Sequence, residues 1–210
     1  MRPTGTDVLL VVDVQRDFLP GGALAVPDGD AVVAPANRLG RLFSHVVLTQ
    51  DWHPPGHASF ATSHPDRQVF DSVALPYGPQ VLWPEHCVQG TPGADFAPGL
   101  DLPQAELVIR KGCRPGIDSY SAFLEADRTT PTGLAGYLRE RGVTRVVLCG
   151  LATDYCVGWS ALDARRAGFS VAVVEDAVRG IDLGGSLARA WGEMAAAGVE
   201  RVTTDAVRGA

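Results

Sequence analysis

The chain has 210 residues and a formal net charge of −6, with 46% hydrophobic and 20% charged residues, the balance of an ordinary globular protein. An acidic total without basic runs or stripes excludes a general nucleic-acid or membrane-surface binder, and no apolar run reaches the length of a membrane span. Cysteines at 87, 113, 149 and 156 form no CxxC pair and are too sparse for a disulfide scaffold, so a reduced, cytoplasmic setting is expected.

The opening run MRPTGTDVLLVVDV does not read as a signal peptide, because its apolar part is short and bounded by Asp7 and Asp13. Val8 to Val12 is continuously apolar, as a strand buried on both faces requires, and ends at Asp13. Ala31 to Phe43 carries a helical pattern through Val32, Val33, Ala36, Leu39 and Phe43. His45 to Thr49 is the next strand and leads to Gln50-Asp51-Trp52-His53. From about residue 54 to 103 the chain is rich in Pro, Gly, His and Asp and has little periodicity. This stretch is expected to be a long functional excursion anchored by Phe60, Phe70, Leu82, Trp83 and Phe96.

Leu107 to Arg110 makes a third strand ending at Lys111, and a helix follows around Gly133 to Arg141. Val146 to Cys149 is a buried strand stopped by Gly150. The helix after it presents Val157, Ala161 and Ala164 on one face. Val171 to Val174 is a strand ending in Glu175-Asp176, Ser186 to Ala197 a helix, and Glu200 to Thr203 a last short strand. Apolar strands alternating with helices predict βαβ units and a mostly parallel sheet in a single α/β domain spanning 1–210.

Four of these strands are followed at once, or within one loop, by a reactive residue: Asp13, Asp51 with His53, Lys111, and Cys156. Ligands of open parallel sheets bind beyond the carboxyl ends of the strands, so all these groups are expected on one edge. Cys156, at the first turn of a helix, meets orphan N–H groups and the positive dipole end that favour a thiolate. Asp13 could take its proton and return it to a leaving amine, with Lys111 holding both electrostatically. The alternatives are a small buried hydrophobe for Cys156, a loop-capping carboxylate for Asp13 and a solvated strand end for Lys111.

Asp51 and His53, two apart on an extended segment, face one side and could share an ion. His86 in WPEHC could supply a third ligand from the excursion. Two imidazoles and a carboxylate suit zinc, iron or manganese. His57 is read as a surface histidine, with a place at or beside the ion as the alternative. His45 and His64 are read as ordinary, and Cys87 as packing.

The stretches VVDVQRDFLPGGALAVPDGD, TQDWHPPGHASF, LWPEHCVQGTPGADF, KGCRPGIDSYSAF and GLATDYCVGWSALDARRAG occur in this order along most of the chain. In them the sequence resembles the bacterial nicotinamidases of the isochorismatase-like cysteine hydrolase superfamily. The resemblance implies a three-layer, Rossmann-like α/β fold with a six-stranded mostly parallel sheet and helices on both faces. It places Asp13, Lys111 and Cys156 on a catalytic triad and Asp51, His53 and His86 on the ligands of one divalent metal, zinc before iron or manganese.

Through the same resemblance, the metal holds the pyridine nitrogen of nicotinamide, and Phe18, Trp52 and Tyr120 line the ring pocket. A cis Leu151–Ala152 peptide aims the Ala152 N–H, with that of Cys156, at an oxyanion. The expected partner is the small molecule nicotinamide, with no nucleic acid and no membrane; assembly into a homo-oligomer is left open. Arg16 departs from the small polar residue usual in VDVQxDF, and the segment after Lys111 reads GCRPGID; neither touches a triad or metal position. The nearest alternative is a related superfamily amidase acting on another small amide without metal, against which the Asp51, His53 and His86 set speaks. Isochorismatase-type vinyl-ether hydrolysis should not need that set, and a non-catalytic binding module should not keep all three triad residues. A haloacid-dehalogenase-type phosphatase fails because Asp13 is followed by Val14-Gln15, without the DxD spacing.

Overall fold

The computed structural model describes residues 1–208. Six strands form one sheet: β1 (Asp7–Val12), β2 (His45–Asp51), β5 (Leu107–Lys111), β6 (Arg145–Leu151), β7 (Ser170–Arg179) and β8 (Glu200–Val202). Their order is β5-β2-β1-β6-β7-β8, and all five pairings are parallel. Four helices complete the layers: α1 (Val33–Gly40), α2 (Leu134–Glu140), α3 (Gly158–Arg166) and α4 (Ser186–Ala196).

Alternation along β1 divides the core. Leu9 and Val11 pack with Ala36 and Leu39 of α1 on one face. Val8, Leu10 and Val12 pack on the other with Leu134 and Leu138 of α2, Ala161 and Ala164 of α3, and Met194 of α4. A strand covered on both faces needs an unbroken apolar run, which is why β1 reads VLLVV.

The strand order reverses between β1 and β6: from β1 the chain builds outward to β2 and β5, then returns to lay β6 on the other side. Such a reversal opens a crevice at the carboxyl ends of the two central strands. Asp13 and Cys156 follow those two ends. Asp51 and Lys111 are register partners at the ends of β2 and β5, so their side chains leave the sheet on the same side.

Gly150 makes the approach of β1 and β6 possible. Its φ is +112°, and a Cβ there would lie 2.1 Å from the Val12 carbonyl oxygen. Gly150→Ala combines strained backbone with a backbone clash and should cost about 2–5 kcal/mol. A urea-unfolding midpoint unchanged from wild type would contradict this.

Several boundaries differ from the sequence reading. The helix expected from Ala31 begins as a tight 3-10 turn, Gly29–Val32, before α1. The excursion holds a two-stranded antiparallel hairpin, β3 (Ser72–Leu75) and β4 (Gly78–Val81), too short for its alternation to stand out among prolines and glycines. Phe60, Leu82 and Trp83 anchor it as buried side chains, whereas Phe70 is 48% exposed. Strand β7 runs past Glu175-Asp176 to Arg179, because a register shift lets its second half pair with Gly150 and Leu151. Among the described residues no helix is long and apolar enough to cross a membrane.

Candidate active site

Lys111 is the hub of the edge. It is fully buried, and its Nζ donates to Asp51 Oδ1 at 2.9 Å, to the Ser119 carbonyl at 2.8 Å and to Cys156 Sγ at 3.3 Å. An ammonium has three protons, so these bonds use all of them. Asp13 Oδ2 lies 2.8 Å from the same Nζ as an ion pair but has no hydrogen-bonded donor. Asp13 Oδ1 is engaged by the Thr49 hydroxyl at 2.5 Å. Asp13, Asp51 and Cys156 bring ligand atoms within 4.8 Å of one another. A buried carboxylate oxygen without a donor, beside a thiol, is poised to receive that thiol's proton.

The electrostatics follow. Burial opposes the charge on Lys111, but Asp13 and Asp51 outweigh it and hold the ammonium well above its ordinary range. Burial raises Asp13 above the usual carboxylate range against the pull of Lys111. For Asp51, burial loses to Lys111 and His53, and the carboxyl stays well below that range. Burial also pushes the Cys156 thiol well up, opposed by Lys111 and reinforced by Asp13 and Asp51. Cys156 sits in a wide π-type turn, Thr153–Val157, ahead of α3 rather than in the first turn of that helix, so the dipole that favours a thiolate is opposed by burial and the two carboxylates.

Beside this group, Asp51 Oδ2 faces His53 Nε2 at 3.3 Å and His86 Nε2 at 3.5 Å. His53 Nδ1 lies 3.0 Å from the Gly112 carbonyl and His86 Nδ1 2.8 Å from that of Pro84. A carbonyl only accepts, so in each neutral ring Nδ1 carries the proton and Nε2 presents its lone pair. Two imidazole nitrogens and one carboxylate oxygen, buried and converging within 4.8 Å, suit a divalent cation. Gly112, at φ +65°, keeps this arrangement tight: a Cβ there would meet the His53 ring at 2.5 Å.

His57 is buried, not at the surface. Its ring stands 4.3 Å from that of His53, centroid to centroid. Its Nδ1 accepts from the Ser59 N–H at 3.2 Å, and Nε2 donates to the Ile117 carbonyl at 3.2 Å. Both nitrogens are spent, so His57 backs His53 without a lone pair for an ion. His45 pairs with Glu106, His64 meets the Ala58 carbonyl, and Cys87 is core packing.

A narrow cavity lies between both groups. Phe18, Trp83, Tyr120 and Tyr155 form aromatic walls, and Asp51, His53, His86, Ala152 and Cys156 supply the polar ones. The Leu151–Ala152 peptide is cis. Trp52 is not brought to this wall. Asp51 and His53 use the inward side of the extended segment, so Trp52 faces away, where the Arg110 guanidinium covers its ring at 3.9 Å.

Sequence reading missed several contributors, among them Leu24 and Trp83, the latter expected only as an anchor of the excursion, both lining the cavity. Tyr155 and Ile181 line the cavity, and no spacing signal marks either. Asp118 also lines it, held by the Gln80 amide at 2.7 Å. Gln15 is buried and grips the Asp51 backbone both ways, accepting its N–H and donating to its carbonyl, each at 2.8 Å. A Gln three residues past the end of β1 was its only trace.

Comparison with known proteins agrees with this geometry. The Isochorismatase domain family matches residues 7–206. A nicotinamidase of Acinetobacter baylyi is 55% identical over 204 residues, covering 97% of this chain and 95% of its own. A protein from L. infantum, crystallised in complex with nicotinate, superposes with a TM-score of 0.87 at 40% identity, covering 100% of this chain and 99% of its own. The pyrazinamidase of Pyrococcus horikoshii in complex with zinc gives 0.78 at 41% identity, covering 94% and 99%. On this match along nearly its whole length, the chain belongs to the isochorismatase family.

Proposed function

We propose that this chain hydrolyses nicotinamide to nicotinate and ammonia through a thioester on Cys156, a salvage step towards NAD. The observation that carries the reading is one cavity lined both by Cys156, with the Asp13 and Lys111 ion pair set behind it, and by the converging Asp51, His53 and His86 side chains. The relatives named above are a nicotinamidase, a pyrazinamidase with zinc and a protein holding nicotinate. Pyrazinamide, with the same carboxamide on a ring nitrogen heterocycle, is a second substrate on this reading.

A divalent ion on Asp51 Oδ2 and the Nε2 atoms of His53 and His86 supplies a coordination point for the ring nitrogen, zinc being our choice for this donor set and iron or manganese the alternatives. The aromatic walls at Phe18, Trp83, Tyr120 and Tyr155 hold the ring. Asp13 takes the Cys156 proton as sulfur attacks the carboxamide carbon, so no free thiolate has to persist in the buried site. The Ala152 and Cys156 backbone N–H groups receive the oxyanion. The C–N bond then breaks, and ammonia leaves with the proton from Asp13. Water, losing a proton to Asp13, attacks the thioester carbon; the C–S bond breaks, the Cys156 sulfur takes that proton back from Asp13, and the free acid leaves and ionises to nicotinate. Four unpaired cysteines suit a reduced, cytoplasmic setting.

The test is ammonia release from nicotinamide by purified protein, before and after chelation and after metal is returned. We expect at least a tenfold fall on chelation and recovery with zinc, iron or manganese. Release indifferent to chelation would move the chain to a metal-free amidase. No release with any metal would overturn the substrate.

A further inference from the structure

We infer that Asp17 is a positioning residue for the metal centre: its carboxylate clamps the backbone that joins the two histidine ligands. The inference rests on the metal reading above. Asp17 lies in the turn after β1 (Arg16–Phe18) and bonds to backbone N–H groups rather than to any of the three ligand side chains. Its Oδ2 accepts the Cys87 N–H at 2.7 Å, and its Oδ1 accepts the Ala23 N–H at 3.3 Å.

The Cys87 N–H belongs to the peptide that begins at His86, so the 2.7 Å bond orients the plane leaving that ligand's Cα. The other face of Cys87 is tied to the second histidine: the His53 N–H donates to the Cys87 carbonyl at 3.0 Å, and the Gln89 N–H donates to the His53 carbonyl at 2.8 Å. His53 and Val88 thereby pair as a short parallel bridge. Cys87 itself holds a left-handed φ of +47°, which a non-glycine residue adopts only under constraint. Asp17 on one side and His53 on the other supply that constraint. The spacing between the His53 and His86 rings, 4.9 Å between centroids, thus depends on a carboxylate contributed by a third segment.

Room for the carboxylate is reserved by Gly93. A Cβ at that position would lie 2.2 Å from Asp17 Oδ2 and 2.4 Å from its other carboxylate atoms. Gly93→Ala therefore displaces the Asp17 carboxylate without altering Asp17 itself.

The experiment measures zinc affinity of the full chain by competition with a chromogenic chelator, alongside far-ultraviolet circular dichroism and kcat at rising zinc. Asp17→Ala should bind zinc at least about tenfold more weakly, the size seen when groups orienting a ligand are lost, and excess zinc should restore most of its kcat. Gly93→Ala should weaken zinc similarly, and the double variant should be little worse than either single one, since both remove the same interaction. Asp17→Asn keeps an acceptor oxygen and should retain most of the affinity, and it serves as the folded reference if Asp17→Ala unfolds. Wild-type zinc affinity in folded Asp17→Ala, or fully additive losses in the double variant, would overturn the inference while leaving the functional reading intact. A wild type that takes up no zinc would overturn both.

Discussion

Cys156→Ala is expected to lower nicotinamide turnover by about 10⁴-fold or more, the scale on which covalent hydrolases lose rate when the nucleophile goes. The sulfur accepts one hydrogen bond, at 3.3 Å from Lys111, and it is not one of the three atoms that converge on the metal position. The variant should therefore fold, hold its zinc at the wild-type level and still bind nicotinamide. Those three retained properties distinguish a missing nucleophile from a collapsed site. Turnover within tenfold of wild type in the Cys156→Ala protein would rule out the thioester and leave only direct attack by water.

Asp13→Asn comes next, with an expected fall in kcat of about 10³-fold, within the range assigned to a general base or acid. The amide fills the same volume and can still accept the Thr49 hydroxyl, so the Thr49 contact at 2.5 Å survives while the proton acceptor does not. A second effect has the opposite sign. The Asp13 carboxylate helps keep the Cys156 thiol protonated, so in the variant the thiol should ionise at lower pH. More thiolate together with less turnover would separate ionisation of the sulfur from delivery of the proton to ammonia. The pH profile carries the same signature. Asp13 must be deprotonated to act, and burial raises it above the ordinary carboxylate range. Wild-type kcat/KM should therefore fall on the acid side from above that range, and Asp13→Asn should lack this limb. A variant with near-normal kcat and an unchanged acid limb would remove Asp13 from the chemistry.

Much of the site was legible because parallel α/β sheets concentrate function at one edge. Asp13 and Lys111 stand at the ends of short apolar runs and Cys156 just beyond one, while Asp51 and His53 share a strand-end segment whose period of two puts them on the same side. Where the reading failed, it failed through geometry beyond the local pattern. Trp52 is as aromatic as Phe18, yet the alternation that turns Asp51 and His53 inward turns Trp52 under Arg110. His57 looked like a loop histidine in PPGHAS and proved buried, because the excursion folds back so that its ring lies against His53.

Residue type and local period by themselves determined the strands, most helices and the candidate nucleophile, base and first two ligands, because each depends on near neighbours in sequence. Tertiary structure alone decided the strand order with its reversal between β1 and β6, the upward push of burial on the Cys156 thiol, the packing of Tyr155 and Ile181 into the cavity, and the bonds from Gln15 and Asp17 that hold the ligand-bearing backbone. Those properties arise from burial and from contacts between residues far apart in the chain, such as Gln15 with Ala94 and Leu10 with Leu148. Burial and through-space charge leave no local pattern to read; they exist only once the chain has closed on itself.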